Sequence, residues 1–226
     1  MRALIISLMA ILVLVYTSWA APCYGTKIPK KGQAAIGLQT HYVFNRYQEH
    51  EAGSLRSGQE FLLVSYGVFD TLSLDLKGGA GFIKQHPKDS DELDYPAYLG
   101  GGYGFRWIFF KSKDLNAVFG FQHISIHPKT IKINGSKRKA VLDDWQFSLL
   151  ASYGFKWLTP YLGTKWSRMD YIHWIDGNRD RVKSDLTRSV GVVAGLDINL
   201  DNHFWLNLEV QAVDCEAAAI SLNYNF

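Results

Sequence analysis

Alternation of apolar and polar positions runs through most of the chain after residue 33. Its last stretch places Ala218, Ile220, Leu222, Tyr224 and Phe226 in one phase and Ala219, Ser221, Asn223 and Asn225 in the other. A period of two puts one set of side chains on each face of a β-strand. The pattern recurs in about ten stretches. Ile36, Leu38, Thr40, Tyr42 and Phe44 form one stripe, Leu62, Val64, Tyr66 and Val68 the next, and Leu72, Leu74 and Leu76 a third. Leu99, Tyr103, Phe105 and Trp107 alternate with Gly100, Gly102, Gly104 and Arg106. Leu115, Ala117, Phe119 and Phe121 follow, and the cleanest stripe runs Trp145, Phe147, Leu149, Ala151, Tyr153, Phe155. Leu162, Thr164 and Trp166 come next, and the last stripes cover 190–198, 204–212 and the terminal strand.

The connections alternate in length. Short turns fall near 69–71, 111–114, 156–159 and 199–202, and longer segments near 49–58, 86–94, 127–142 and 171–186, with a tight final hairpin at Asp214-Cys215. Alternating short and long connections belong to a barrel with one tight and one elaborated end. Which face is polar then decides between a soluble and a membrane barrel. The second phase carries Asp75, Lys77, Arg106, Gln122, Gln146, Lys156, Lys165, Asp197, Asn207, Glu209 and Gln211. A soluble barrel would bury these groups at high cost, whereas a membrane barrel turns them to a polar lumen and shows its apolar stripe to lipid. The prediction is an all-β transmembrane antiparallel β-barrel of about ten strands, with eight as the alternative.

Composition and termini extend this picture. Met1-Arg2, an apolar run over 3–16 and Thr17-Ser18-Trp19-Ala20 read as a secretory signal peptide over 1–20. A short basic lead-in over 21–32 and a barrel over 33–226 complete the expected organisation. Without Arg2 the chain carries 23 Lys+Arg against 21 Asp+Glu, a formal +2 that selects no partner class and gives no reason to expect nucleic acid. Cys23 and Cys215 fall at opposite ends of the expected barrel, which argues against a disulfide between them unless the N-terminal segment threads the lumen. The alternating terminal strand closing on Phe226 resembles the terminal signal of Gram-negative outer-membrane β-barrels, and the whole organisation resembles the small barrels of that type. The resemblance implies an outer-membrane address, insertion by the barrel-insertion machinery through the last strand, and outer-membrane lipid and lipopolysaccharide as surroundings.

Candidate chemistry falls into three groups. The inward-phase charges Asp75, Lys77, Arg106, Lys156, Lys165, Asp197 and Glu209 either pair into a plug or line a narrow pore. Lys129, Lys132, Lys137, Arg138 and Lys139 form a basic outer segment suited to phosphate or an acidic surface polymer, opposite an acidic segment with Asp89, Asp91, Glu92 and Asp94. Tyr171 and Trp174 in the 171–186 segment suit a ligand or an aromatic girdle. Gln122-His123-Ile124-Ser125 resembles the His-x-Ser motif of lipid A 3-O-deacylases. That resemblance implies Ser125 as nucleophile and His123 as general base, with Asp143 orienting the histidine. The chain departs from the motif at Ile126-His127, and Lys137 stands where the family's acid is expected. Gly100-Gly101-Gly102-Tyr103-Gly104 lies inside a strand pattern with no helix behind it, so it is not a dinucleotide loop. No cofactor and no metal site is expected. The function expected is a structural or surface-binding barrel, with a narrow pore and a lipid A hydrolase as alternatives.

Overall fold

The computed structural model describes residues 25–226; the expected signal peptide and Cys23 lie outside the described residues. Twelve strands form one antiparallel sheet: β1 (Ala34–Tyr47), β2 (Ser54–Phe69), β3 (Leu72–His86), β4 (Leu93–Lys111), β5 (Leu115–His127), β6 (Ile131–Ile133), β7 (Ser136–Tyr153), β8 (Leu158–Ile175), β9 (Asn178–Lys183), β10 (Val190–Asn199), β11 (Phe204–Ala212) and β12 (Glu216–Asn225). Ten of them close a barrel, because β7 pairs with β8 from Arg138↔Ile175 to Ser152↔Tyr161 and so joins the two ends of the sheet. β6 and β9 pair only with β7 and β8 respectively and lie above the barrel as hairpin partners. Ten strands, not eight, is therefore the count.

The faces sort as the alternation requires. Leu38, Leu76, Leu99, Leu149, Leu162 and Val192 are all exposed on the outside, Leu162 at 60%. Asp75, Arg106, Lys165, Asp197 and Glu209 are buried inside, none above 4% exposed. A closed barrel with an apolar exterior and a polar interior is a transmembrane β-barrel of the outer-membrane type. At the end with the short turns Phe69, Trp107, Tyr153, Phe155, Trp157 and Phe204 stand exposed as an aromatic girdle. From Tyr153, about ten residues at a rise of roughly 3.3 Å and a tilt of about 40° climb the ~25 Å of an apolar belt. The belt's far edge thus falls near Trp145 and Asp143 on β7.

Bulges adjust the phase. The register of β1 against β2 shifts between Val43 and Arg46, and the same strand shifts against β12 between Val43 and Asn45. One extra residue moves the following side chains to the opposite face. Arg46, which simple alternation would turn outward, is consequently 1% exposed inside the barrel. A second bulge between Ile108 and Phe110 leaves both Phe109 and Phe110 on the lipid face. The glycines of β4 provide room: a Cβ on Gly100 would stand 2.8 Å from Ile126 Cδ1, and one on Gly102 3.2 Å from Lys77 Cγ.

Two regions differ from the expected loops. The segments at 127–142 and 171–186 are largely strand, because β7 and β8 continue past the belt and turn back as β6 and β9. Asn134-Gly135 and Asp176-Gly177 supply the two-residue turns, all four residues having positive φ. This is the backbone that Asn-Gly and Asp-Gly dipeptides favour in tight hairpins. Tyr171, expected in a loop, lies on β8 inside the barrel and donates its hydroxyl to Tyr95 at 3.1 Å. We expect Leu149→Arg, at mid-belt on the lipid face, to lower unfolding stability in lipid vesicles by about 2–4 kcal/mol. The same change at Lys156, in the exposed β7–β8 turn, should leave the denaturation midpoint unmoved.

Candidate functional site

The interior is filled in two layers. Toward the short-turn end it is a network of charges and amides. Arg106 makes a bidentate contact to Asp75, Nη2 at 2.7 Å and Nε at 3.0 Å, and donates Nη1 to the carbonyl of Lys27 at 2.6 Å. Lys77 Nζ reaches Gln39 and Gln122, each at 3.2 Å, and Gln122 continues to Gln146 and Asp144. Asp197 accepts from Asn207 at 2.9 Å and from the Thr26 N–H and hydroxyl, both at 3.1 Å. Tyr161 donates to Glu209 at 2.9 Å. Buried charges remain stable only when paired and hydrogen-bonded in this way.

Residues 25–27 belong to this network. Of the short basic lead-in, Thr26 is 4% exposed within the end of the barrel, and Lys27 lies 4.5 Å above the Trp205 ring. The upper layer holds an apolar cluster: Leu55, Phe61, Ile83, Tyr95, Ile124, Ile126, Leu142, Met169 and Tyr171 meet across the lumen. Between strands β1, β8 and β11, Asp214 accepts from Arg46 at 2.7 Å, Lys165 at 3.0 Å and the Ser167 hydroxyl at 2.8 Å. Lys165 also approaches the buried thiol of Cys215 at 3.3 Å. Two cavities inside the barrel, one beside Gln122 and Gln146 and one beside Ser65 and Asn223, measure about 10 Å³ each, near the minimum for a single water.

Six of the seven expected lumen residues, Asp75, Lys77, Arg106, Lys165, Asp197 and Glu209, thus lie inside the barrel. Lys156 does not: its turn starts where the β7–β8 ladder ends, and the side chain is solvent-exposed. Sequence reasoning missed Arg46, Asp144 and Asp214. Arg46 is reversed by the β1 bulge, and Asp214 reads as an ordinary turn residue. It also missed the apolar upper layer, although Glu60-Phe61-Leu62-Leu63-Val64 and Ala140-Val141-Leu142 break the alternation there.

Above the belt, β6, β7, β8 and β9 form a four-stranded outer sheet. Of the basic segment, Lys129, Lys132, Lys137 and Lys139 are exposed and Arg138 is half-buried. Lys132 and Lys137 are direct cross-strand partners. Lys139 stands 4.9 Å over one face of Trp174, which Arg179 also approaches at 5.9 Å. Asp176 fixes the tip: the Lys137 N–H donates to its Oδ1 at 2.8 Å and the Ser136 hydroxyl adds to this, holding its carboxyl below the usual range. The acidic segment is tied to its neighbours, with Glu92 bonded to Arg56 and Asp94 to Lys84 at 2.7 Å.

The hydrolase candidates meet at the outer edge of the belt. Ser125 and Asp143 are register partners across β5 and β7, and the serine hydroxyl lies 2.5 Å from the carboxylate. Ser125 Oγ is 3.0 Å from His127 Nε2. His123 packs on Trp145 with ring centroids 4.2 Å apart, and its Nε2 is 3.9 Å from Asp143. The histidine that touches the serine is therefore His127, not His123. A hydroxyl has one proton to give. The hydroxyl gives it to Asp143, and the role of His127 Nε2 at Oγ follows the tautomer of the ring.

No family model and no curated protein matches the sequence. Several solved structures share the architecture. The translocator domain of autotransporter NalP from Neisseria meningitidis is similar over 87% of this chain and 90% of its own, at 11% identity and TM-score 0.48. Ail, the attachment invasion locus protein of Yersinia pestis, is similar over 87% of this chain and 99% of its own, at 10% identity and TM-score 0.43. An outer membrane channel from Pseudomonas putida F1 is similar over 91% and 99%, at 11% identity and TM-score 0.45.

The buried Asp75–Arg106 pair yields a prediction. Arg106→Met leaves the Asp75 carboxylate without its cation and should cost about 3–5 kcal/mol in denaturant unfolding, whereas Asp75→Leu/Arg106→Met should recover most of that loss.

Proposed function

We propose that the protein is a closed, non-conducting barrel of the Gram-negative outer membrane whose outer sheet binds polyanions at the cell surface. One observation carries the reading: Lys132 and Lys137 face each other directly across β6 and β7, with Lys139 and Lys129 nearby. Like charges directly opposite destabilise an antiparallel pair. An anion seated between them removes that repulsion, so binding and hairpin order reinforce each other. Pairing of the lumen charges and the apolar upper layer support the non-conducting part of the reading.

Two measurements test it. Dextran sulfate should bind the folded protein, its affinity falling as salt rises through screening. Lys132→Gln/Lys137→Gln/Lys139→Gln should weaken that binding by about ten-fold, each lost solvent-exposed ion contact contributing roughly 0.5 kcal/mol; unchanged binding would reject the site. In planar bilayers the intact protein should give no discrete conductance steps, and regular steps would replace the reading by a pore.

A lipid A hydrolase is the second reading, favoured by the position of Ser125 between Asp143 and His127 at the depth of the head groups. The hydroxyl's hydrogen bond to Asp143 instead of to a histidine works against it. Mass spectra of lipid A from cells producing the intact protein and its Ser125→Ala variant should be identical. Loss of one acyl chain with the intact protein alone would put the hydrolase first.

A further inference from the structure

Just below the outer sheet the lipid-facing surface changes from charge to aromatic rings. Phe147 of β7 and Trp166 of β8 are register partners with ring centroids 5.8 Å apart, and Trp145 is the register partner of Arg168. Arg168 bonds Asp170 at 3.1 Å, and Arg181 of β9 bonds the other oxygen of the same carboxylate. These six side chains line an open groove of about 240 Å³.

We infer that this groove seats the phosphorylated head group of an outer-leaflet lipid, whose acyl chain lies against the three rings. The inference rests on the reading of the outer sheet as a polyanion-binding surface and names one membrane ligand for its lower edge. Depth is the first argument. Trp145 and Asp143 mark the end of the apolar belt, so Arg168 and Arg181 lie at head-group height, where aromatic rings and long cationic side chains are most stable.

Charge is the second argument. Two guanidiniums share one carboxylate, which leaves a net positive charge and most of their N–H donors for another acceptor. Arg168 and Arg181 are 33% and 38% exposed in their side chains, whereas Asp170 is 3% exposed beneath them. On the outward face of β7, β8 and β9 the register aligns Lys137, Lys139, Arg168, Arg179, Arg181 and Lys183 against only Asp143 and Asp170. Bidentate guanidinium contacts suit phosphate, and the ring floor suits a hydrocarbon chain attached to it.

Native mass spectrometry of the full chain folded in detergent micelles, titrated with diphosphoryl lipid A, tests the inference. One lipid should bind saturably. Arg168→Gln/Arg181→Gln should weaken it by about ten-fold or more, and Trp145→Ala/Trp166→Ala should weaken the acylated ligand while leaving inorganic phosphate unaffected. Asp170→Asn frees both guanidiniums and should strengthen binding by about three-fold or more. It also guards against misfolding of the arginine variant, since it removes the charge those arginines cover; heat-modifiable gel migration confirms each fold. Lys132→Gln/Lys137→Gln/Lys139→Gln should retain the lipid, so that loss of dextran sulfate binding and loss of lipid binding fail separately. Equal binding of dephosphorylated lipid A, an unaltered affinity in both the arginine and Asp170 variants, or displacement by inorganic phosphate at the lipid's own concentration would each overturn the inference.

Discussion

Closure of the ring, with β1 on β12 and every other barrel strand on its neighbour in the chain, is the constraint on which the remainder of this structure depends. In hydrocarbon a backbone N–H or C=O without a partner costs several kcal/mol, and no water is at hand to satisfy it. A sheet can enter that medium only if its first and last barrel strands find each other. Here the register from Ala35↔Asn225 to Asn45↔Glu216 joins the first strand β1 to the last strand β12, and the β7–β8 ladder from Arg138↔Ile175 to Ser152↔Tyr161 completes the ring, so the belt has no edge. Closure then fixes the sidedness of every strand. Side chains in one phase must be apolar enough for lipid, and whatever is polar must turn inward.

Turning inward creates a second problem that the interior solves locally. Charged groups in a space without bulk water need partners at once, and the residues provide them: Arg106 with Asp75, Arg46 and Lys165 with Asp214, Thr26 and Asn207 with Asp197. The lead-in segment of residues 25–27 completes the set instead of leaving Asp197 and Arg106 under-coordinated. Above this layer Phe61, Ile124, Ile126 and Tyr171 form an apolar cluster, beside which the Tyr95–Tyr171 hydroxyl pair and the buried Ser57, Gln59 and Gln85 side chains carry the polar atoms. A lumen filled in this way has little capacity for chemistry of its own. Interaction with anything larger than water moves to the outside and to the rim.

The sequence made the barrel legible because period two survives along each strand: Trp145 to Tyr153 outward, Asp75 and Lys77 inward. It was least legible where the period breaks. The β1 bulge reversed Arg46, and runs with both phases apolar concealed the upper plug around Leu142 and Ile124. The dipeptides Asn134-Gly135 and Asp176-Gly177 carried a hairpin signal that the surrounding charge obscured. At the Ser125 cluster the residue types were readable but not their partners. Cross-strand register, which sets Ser125 against Asp143 and leaves His127 two residues along the same face, has no signature within one strand.

The rim is uneven, and the unevenness bears on the meaning of its charge. β4, β7 and β8 are 19, 18 and 18 residues long, whereas β10, β11 and β12 have 10, 9 and 10. On the long side the sheet continues into water, and its new edges, β6 and β9, would template pairing with other chains if left bare. Charged residues on an edge prevent that, which accounts for Lys132 on β6 and for Arg179 and Arg181 on β9. Edge protection does not account for Lys137, Lys139 or Arg168, whose strands are already paired on both sides. Nor does it account for Arg181 folding inward onto Asp170 instead of extending from the edge. Of the cations that edge protection leaves unexplained, Lys139 stands over the ring of Trp174, and Arg168 and Arg181 line the groove with Trp145, Phe147 and Trp166. Cationic groups beside exposed rings on the tall side of the rim, away from the filled lumen, are the surface on which the proposed recognition of an amphiphilic anion rests.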